Sequence, residues 1–167
     1  MKIRITLLLA SAALLPAQDN PLSTEAKQAF NAVKNNLIKM AEKVPAEAYN
    51  YQPVPEIRTF GALVGHVADS EMRTCSTLNG AAKNLGASKM TAKADLVAAL
   101  KAASEECDKA YGAMTDADAA KMIESPRGKR SKLGMLVANT THANEEYGYM
   151  AVYLRLKGIV PPSSEGR

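Results

Sequence analysis

Apolar side chains recur every three or four positions in four long segments, which is the period of an α-helix with one buried face. The first segment begins after Pro21, with Ser23 or Thr24 as the expected N-cap, and ends at Pro45. The others are expected from Thr59 to about Asn79, from about Thr91 to Met114, and from about Ser131 to Lys157. Gly158 follows the last segment in the position that usually ends a helix.

The segments between these helices carry Gly, Pro and polar residues and show no alternation typical of a β-strand. A chain of 167 residues is long enough to bury one core without further support. Four helices of similar length in one such chain predict an all-α fold, a four-helix bundle. The expected domain spans residues 23–162, followed by a short C-terminal tail, 163–167.

The first seventeen residues have the layout of a secretory signal peptide. Lys2 and Arg4 precede an apolar run over residues 5–15, and a small residue, Ala17, stands before Gln18. The run is shorter than the ~20 apolar residues that a permanent membrane span needs. We therefore expect residues 1–17 to be removed and the protein to be exported, periplasmic or secreted, with no stable membrane anchor afterwards.

Charge and aromatic content argue against a nucleic-acid partner. The formal net charge is +4, and Lys2 and Arg4 of the expected signal peptide contribute two of these charges. The chain has no Trp, two Phe and six Tyr, which is little material for stacking bases. We expect no binding to nucleic acid.

Candidate chemistry concentrates on the two histidines of the chain. His66 lies on the second predicted helix and His142 on the fourth, where Glu146 follows four residues later on the same face. Two imidazoles and a carboxylate can form a three-ligand metal set with open positions. The plainer alternative is a pair of surface or hydrogen-bonded histidines, and Glu145 could also reach the same point.

The sequence resembles the DinB-like family, a superfamily of metalloenzymes built on a four-helix bundle. The matching segments are 60–68 (FGALVGHVA), 142–148 (HANEEYG) and 153–162 (YLRLKGIVPP), with weaker likeness at Val44-Pro45 and 49–53. The resemblance implies an up-down-down-up topology and one divalent metal ion, Zn, Ni, Mn or Fe. It further implies three histidine ligands, of which His66 and His142 match two, whereas Glu146 stands at the third.

The resemblance implies a metal-dependent enzyme of hydrolase or thiol-dependent transferase type, acting on a small-molecule substrate that remains unknown. The alternative is a non-catalytic small-molecule-binding or interaction module on the same bundle with a degenerate metal site. The carboxylate at position 146 favours this alternative. A homodimer is compatible with either reading.

The implied topology places the second and third helices parallel, which bears on the two cysteines. Cys75 and Cys107 each lie 16 residues beyond the expected start of their helix, so they would be level. In an exported protein they could form a disulfide. Two small buried thiols are the equally open alternative.

Two groups of charged residues have several interpretations. Asp69, Glu71 and Arg73 on the second helix are either partners of His66 or exposed charges. A basic stretch before the last helix either steers an anionic substrate or is a solvated loop. Its members are Arg127, Lys129, Arg130 and Lys132.

Overall fold

A computed structural model describes residues 19–125 and 128–166, so the expected signal peptide and Arg127 lie outside the described residues. This part of the chain is mostly helical. Its α-helices are α1 (Pro21–Lys43), α2 (Phe60–Leu78), α3 (Lys93–Ala113), the short α4 (Asp116–Ala119) and α5 (Lys132–Leu156). Two short strands, β1 (Met122–Ile123) and β2 (Arg130–Ser131), pair antiparallel. Three 3₁₀ turns lie at Ala46–Asn50, Ala87–Lys89 and Pro162–Ser164.

The ends of α2 and α5 agree with the sequence signals. The Thr59 side chain accepts a hydrogen bond from the backbone N–H of Ala62, and Ser131 does the same for Gly134. These contacts satisfy amides that the first turn of a helix leaves unpaired. After α5, Gly158 has φ 72°, a left-handed conformation that glycine adopts without strain.

The predicted N-cap of α1 is wrong. The helix begins at Pro21 with Asn20 as the N-cap residue, because proline at the first helical position already has the required φ. Ser23 is buried, and its backbone N–H and hydroxyl both donate to the Asp116 carboxylate, at 2.8 and 2.9 Å. The hydrogen bonds that satisfy this first turn thus come from a residue 93 positions away, which local sequence could not reveal.

The segment between α3 and α5, expected to be a loop, contains α4, β1 and β2. The Thr115 side chain caps α4 by accepting from the Asp118 N–H at 3.2 Å. Each strand has only two residues, Met122 pairing with Ser131 and Ile123 with Arg130. Strands this short carry no readable alternation, which explains why the sequence did not reveal them.

The four long helices share one apolar core. α2 packs against α3 and α5, and α1 packs against the same two helices. The largest fully buried side chains are Phe30, Leu37, Met40, Tyr49, Phe60, Leu96, Leu100, Tyr111, Leu136, Met150 and Leu154, together with one carboxylate, Glu71. None of the described helices is long and apolar enough to cross a membrane.

The contact between α2 and α3 is especially close. A Cβ at Gly65 would lie 2.6 Å from the carbonyl oxygen of Ala87, and one at Gly61 3.3 Å from the Leu96 side chain. Farther along both helices, Cys75 and Cys107 are joined by a disulfide, with their Cα atoms 4.8 Å apart. Of the two alternatives for the cysteines, the structure has the disulfide.

Candidate metal centre

Helices α2 and α5 bring the three predicted ligands together. His66 projects from α2, and His142 and Glu146 project from one face of α5. The two Nε2 atoms are 3.1 Å apart. Glu146 Oε1 lies 3.5 Å from His66 Nε2 and 3.6 Å from His142 Nε2. Three potential donors from two helices therefore face one point.

The spacing of these atoms suits a common first-row metal ion. Bonds of ~2.0–2.2 Å to imidazole nitrogen and carboxylate oxygen place neighbouring ligand atoms ~3.0–3.5 Å apart at tetrahedral or octahedral angles. The observed separations of 3.1, 3.5 and 3.6 Å are close to that range. The His66, His142 and Glu146 cluster could therefore bind a metal ion.

Glu146 is the most enclosed of the three. The residue is 5% exposed, and its second oxygen, Oε2, has no hydrogen-bond partner. Burial raises the pKa of this carboxyl, while electrostatic interactions with His142 and Arg58 oppose the rise. A buried carboxylate oxygen without a partner is costly unless a cation or donor meets it, so the site fits a bound metal.

The two imidazoles are electrostatically suited to be ligands. Burial lowers the pKa of His66, and the nearby Arg58 and Arg73 lower it further, although Asp69 opposes them. Burial also lowers the pKa of His142, against the effect of Glu146. Both rings are therefore neutral at pH 7, the form that binds a metal ion.

The structure separates Glu145 from this cluster. Its Oε1 accepts a hydrogen bond from the Tyr149 hydroxyl at 2.8 Å on the exposed side of α5. Of the two adjacent glutamates that spacing left open, Glu146 faces the histidines.

The three charged residues of α2, for which the sequence left two interpretations open, have different contacts. Asp69 accepts hydrogen bonds from the backbone of Ala87 and Ser88, at 2.8 and 2.9 Å. Glu71 points into the core, where the Ser104 hydroxyl donates to it at 3.2 Å. Arg73, by contrast, lines the same cavity as the two histidines.

Two cavities meet the cluster. The larger, of about 730 Å³, reaches Glu146 and is mainly apolar. It is lined by Pro53, Glu56, Ile57, Arg58, Leu63, Glu146, Tyr149, Val152, Tyr153 and Leu156. The second, of about 540 Å³, reaches His66 and His142 and is more polar. Both volumes suit small molecules.

The structure adds Asn139 to the site, a residue that the sequence did not single out. It lies one turn before His142 on α5, lines the second cavity and is 4% exposed, with no partner for its Oδ1. The only available signal was its place in a polar interval of an otherwise apolar helix face, which cannot distinguish one polar residue from its neighbours.

A helical fold with a His-His-Glu cluster between two of its helices defines the class of protein. The DinB superfamily profile matches residues 29–150, and the chain belongs to the DinB superfamily. No functionally curated protein matches the chain.

Solved structures share the fold. A DinB-like protein from Bacillus cereus superposes with a TM-score of 0.73 at 16% identity, covering 83% of this chain and 95% of that one. A DinB-like protein from Bacillus subtilis has a TM-score of 0.65 at 20% identity, covering 80% and 92%. A conserved protein from Enterococcus faecalis has a TM-score of 0.67 at 14% identity, covering 84% and 98%.

Proposed function

We propose that this protein is a metal-dependent enzyme that holds one divalent cation with His66, His142 and Glu146. The observation that carries the proposal is the convergence of their three donor atoms, separated by 3.1 to 3.6 Å, beside two cavities. A bound cation would supply Lewis-acid activation of a water or a substrate atom.

The residues around the proposed site have different roles in holding the cation and positioning the nearby chain. The neutral imidazoles offer nitrogen donors without a competing proton, and Glu146 adds a negative charge that three histidines would not. A carboxylate in the ligand set favours harder ions. It therefore raises the affinity for Mn²⁺ and Fe²⁺ relative to the affinity for Zn²⁺ and Ni²⁺. The Tyr153 hydroxyl donates to the Arg58 carbonyl at 2.8 Å and so holds the loop before α2 against α5.

The reaction class rests on the family resemblance, which points to a hydrolase or a thiol-dependent transferase. The two cavities support a small-molecule substrate because each has the size of a typical ligand pocket.

We also propose the four-helix bundle with up-down-down-up topology. Along α2 and α5 the contacts run in opposite directions, since Arg58 meets Tyr153 whereas His66 meets His142. Along α2 and α3 they advance together, which supports parallel helices. The successive pairs are Gly61 with Leu96, Glu71 with Ser104, and Cys75 with Cys107.

Metal titration by calorimetry tests the proposal, with Zn²⁺, Ni²⁺, Mn²⁺ and Fe²⁺ added to wild type and variants. Glu146→Ala is expected to weaken binding at least ten-fold because it removes the carboxylate ligand, whereas Glu146→His keeps three donors and retains binding. Glu145→Ala is the matched control and stays near wild type, because Glu145 faces Tyr149. Equal weak heats in wild type and Glu146→Ala would contradict the proposed metal site.

A non-catalytic binding or interaction module is the second candidate. It is favoured by Glu146 in place of the family's third histidine and by exposed apolar residues around the larger cavity. These are Ile57, Tyr149, Val152 and Leu156, between 41% and 59% exposed. If the protein is such a module, wild type binds no metal and only Glu146→His creates metal binding. Analytical ultracentrifugation would show whether this apolar face forms a homodimer.

We further propose that the protein is exported after removal of residues 1–17. The basic and apolar pattern of that segment supports export. The Cys75–Cys107 disulfide supports it independently, because disulfides persist in oxidising compartments.

A further inference from the structure

The cavity beside the histidines is a groove between α2 and α5. On α2, Ser70, Arg73, Thr74 and Thr77 follow His66 along one side, and on α5 Asn139, Ala138 and Met135 precede His142. The groove therefore has the candidate metal centre at one end and leads towards the first turn of α5 at the other.

Two guanidinium groups lie along this groove. Arg73 is two helical turns, or ~10 Å, beyond His66 on α2. Arg130 comes from β2, and its Nη2 donates to the Gly134 carbonyl at 3.2 Å, which holds it at the start of α5. No acidic side chain is among the described residues that line the groove. The groove thus presents positive charge at its arginine end, while Glu146 lies at the histidine end and Asp69 interacts with Arg73 from outside the lining.

A buried acceptor lies between the histidines and the arginines. Asn139 is 4% exposed, and its Nδ2 donates to the Tyr111 hydroxyl at 3.3 Å. Tyr111 in turn donates to the Leu136 carbonyl at 2.7 Å, which fixes the amide so that Oδ1 is the atom without a partner. Leaving a buried acceptor unpaired is unfavourable, and a ligand donor would remove that cost.

We propose that this groove binds a small organic anion. Arg73 and Arg130 hold its carboxylate or phosphate, and Asn139 Oδ1 accepts a hydrogen bond from a hydroxyl or amine that the ligand carries nearer the histidines. Arginine pairs with both acid groups through charge-assisted hydrogen bonds. That this anion is the substrate rests on the proposed metal-dependent function, whereas its binding requires only the groove.

Calorimetry on oxidised, EDTA-treated full-length protein in 0.1 M salt tests the binding. The probes are malate and glycerol 3-phosphate, which separate the carboxylate from the phosphate source, with succinate lacking the hydroxyl and glycerol lacking the acid. We expect malate or glycerol 3-phosphate to bind, malate more tightly than succinate, and glycerol not at all.

The variants identify the contacts. Arg73→Gln and Arg130→Gln are each expected to weaken binding at least ten-fold. Lys129→Gln is the control, because it removes the same charge from a neighbouring residue that does not line the groove, and it changes binding less than two-fold. Asn139→Leu abolishes the preference for malate over succinate while circular dichroism shows a folded protein.

The experiments distinguish a failure of the anion-binding proposal from a failure of the metal-site proposal. No binding of either acid probe, or equal binding to wild type and both arginine variants, overturns the anion groove whether or not metal binds. Anion binding that the arginine variants lose supports the groove, even if metal titration of the same preparation gives no heat.

Discussion

Two buried glutamates, Glu71 on α2 and Glu106 on α3, have opposite electrostatic surroundings. Glu71 is 1% exposed and receives one hydrogen bond, from Ser104, so burial raises its pKa to about 8. Glu106 accepts hydrogen bonds from Lys83 Nζ at 2.8 Å and Asn79 Nδ2 at 2.7 Å. These contacts lower its pKa to about 2. The same side chain therefore affects stability in opposite ways at the two positions.

Glu71→Gln is expected to stabilise the protein at alkaline pH. Between pH 4.5 and about 8 the unfolded chain loses the Glu71 proton while the folded protein keeps it, so the free energy of unfolding of wild type falls as pH rises. Glutamine is neutral throughout and avoids that loss. Urea unfolding at pH 5, 6.5 and 8.5 should show the free energy of unfolding of the variant rising by ~3–4 kcal/mol relative to that of wild type across this range.

Glu106→Gln is the contrasting variant. The depressed pKa of Glu106 contributes stability above pH 4.5 that is lost as pH falls towards 2. The glutamine variant is therefore less stable than wild type at pH 7, and the difference shrinks at pH 3. Parallel pH profiles for wild type and Glu71→Gln would contradict the assignment of a protonated Glu71 in the core.

At this scale the sequence predicted the local part of the site and missed the long-range part. His142 and Glu146 are four residues apart on one helix, so their common face follows from helical period. The grouping of His66 with them was a hypothesis from residue type, which the family resemblance strengthened. The orientation of Asp69 towards Ala87, and of Glu71 towards Ser104, depends on how α2 meets α3, which no local pattern encodes.

At the scale of elements, close packing of α2 depends on Gly65. The 3₁₀ turn Ala87–Lys89 lies against this helix, held by hydrogen bonds from its backbone to Asp69. A Cβ at Gly65 would meet the Ala87 carbonyl oxygen at 2.6 Å and its carbon at 2.9 Å. Backbone atoms cannot rotate away as a side chain can, so the turn or the helix must move.

Gly65→Ala is therefore expected to destabilise the protein by about 1–3 kcal/mol despite the better helix propensity of alanine. It should also weaken metal binding, because the adjacent His66 moves with α2. Gly148→Ala is the control, because this residue lies in α5 with nothing within 4 Å of the added Cβ. Its free energy of unfolding should rise by ~0.5–1 kcal/mol, since alanine favours the helix more than glycine does. Urea unfolding measures both, and equal gains in the two variants would contradict the close contact.

The long helices were predictable because the apolar residues of each recur at helical spacing on one buried face. The starts of α2 and α5 were predictable as well, because Thr59 and Ser131 cap them locally. The start of α1 was not, since the acceptor of its first amides is Asp116, which lies 93 residues after Ser23 in the chain. The short α4 and the β1–β2 pair fall below the length at which periodicity is informative.

At the scale of the whole molecule, the disulfide joins α2 to α3 across 32 residues of sequence. Closing a loop of this length restricts the unfolded chain and contributes ~3–4 kcal/mol in the chain-entropy estimate. Both cysteines are fully buried, so the bond must form before or during folding rather than on the finished surface. The compartment in which the chain folds therefore affects its stability.

This dependence gives a joint prediction for export and oxidation, tested with the full chain and a version lacking residues 2–17 in a Gram-negative host. The full chain should reach the periplasm, begin at Gln18 by mass spectrometry, and resist alkylation at Cys75 and Cys107 after denaturation without reductant. The shortened chain should stay in the cytoplasm with both thiols alkylated and unfold ~3–4 kcal/mol more easily, because it lacks the cross-link. Refolding the purified shortened chain from denaturant under oxidising conditions should restore the stability, which separates the effect of the bond from that of the missing segment. Full-length protein that keeps Met1 in the cytoplasm with two free thiols would contradict both export and the oxidised state.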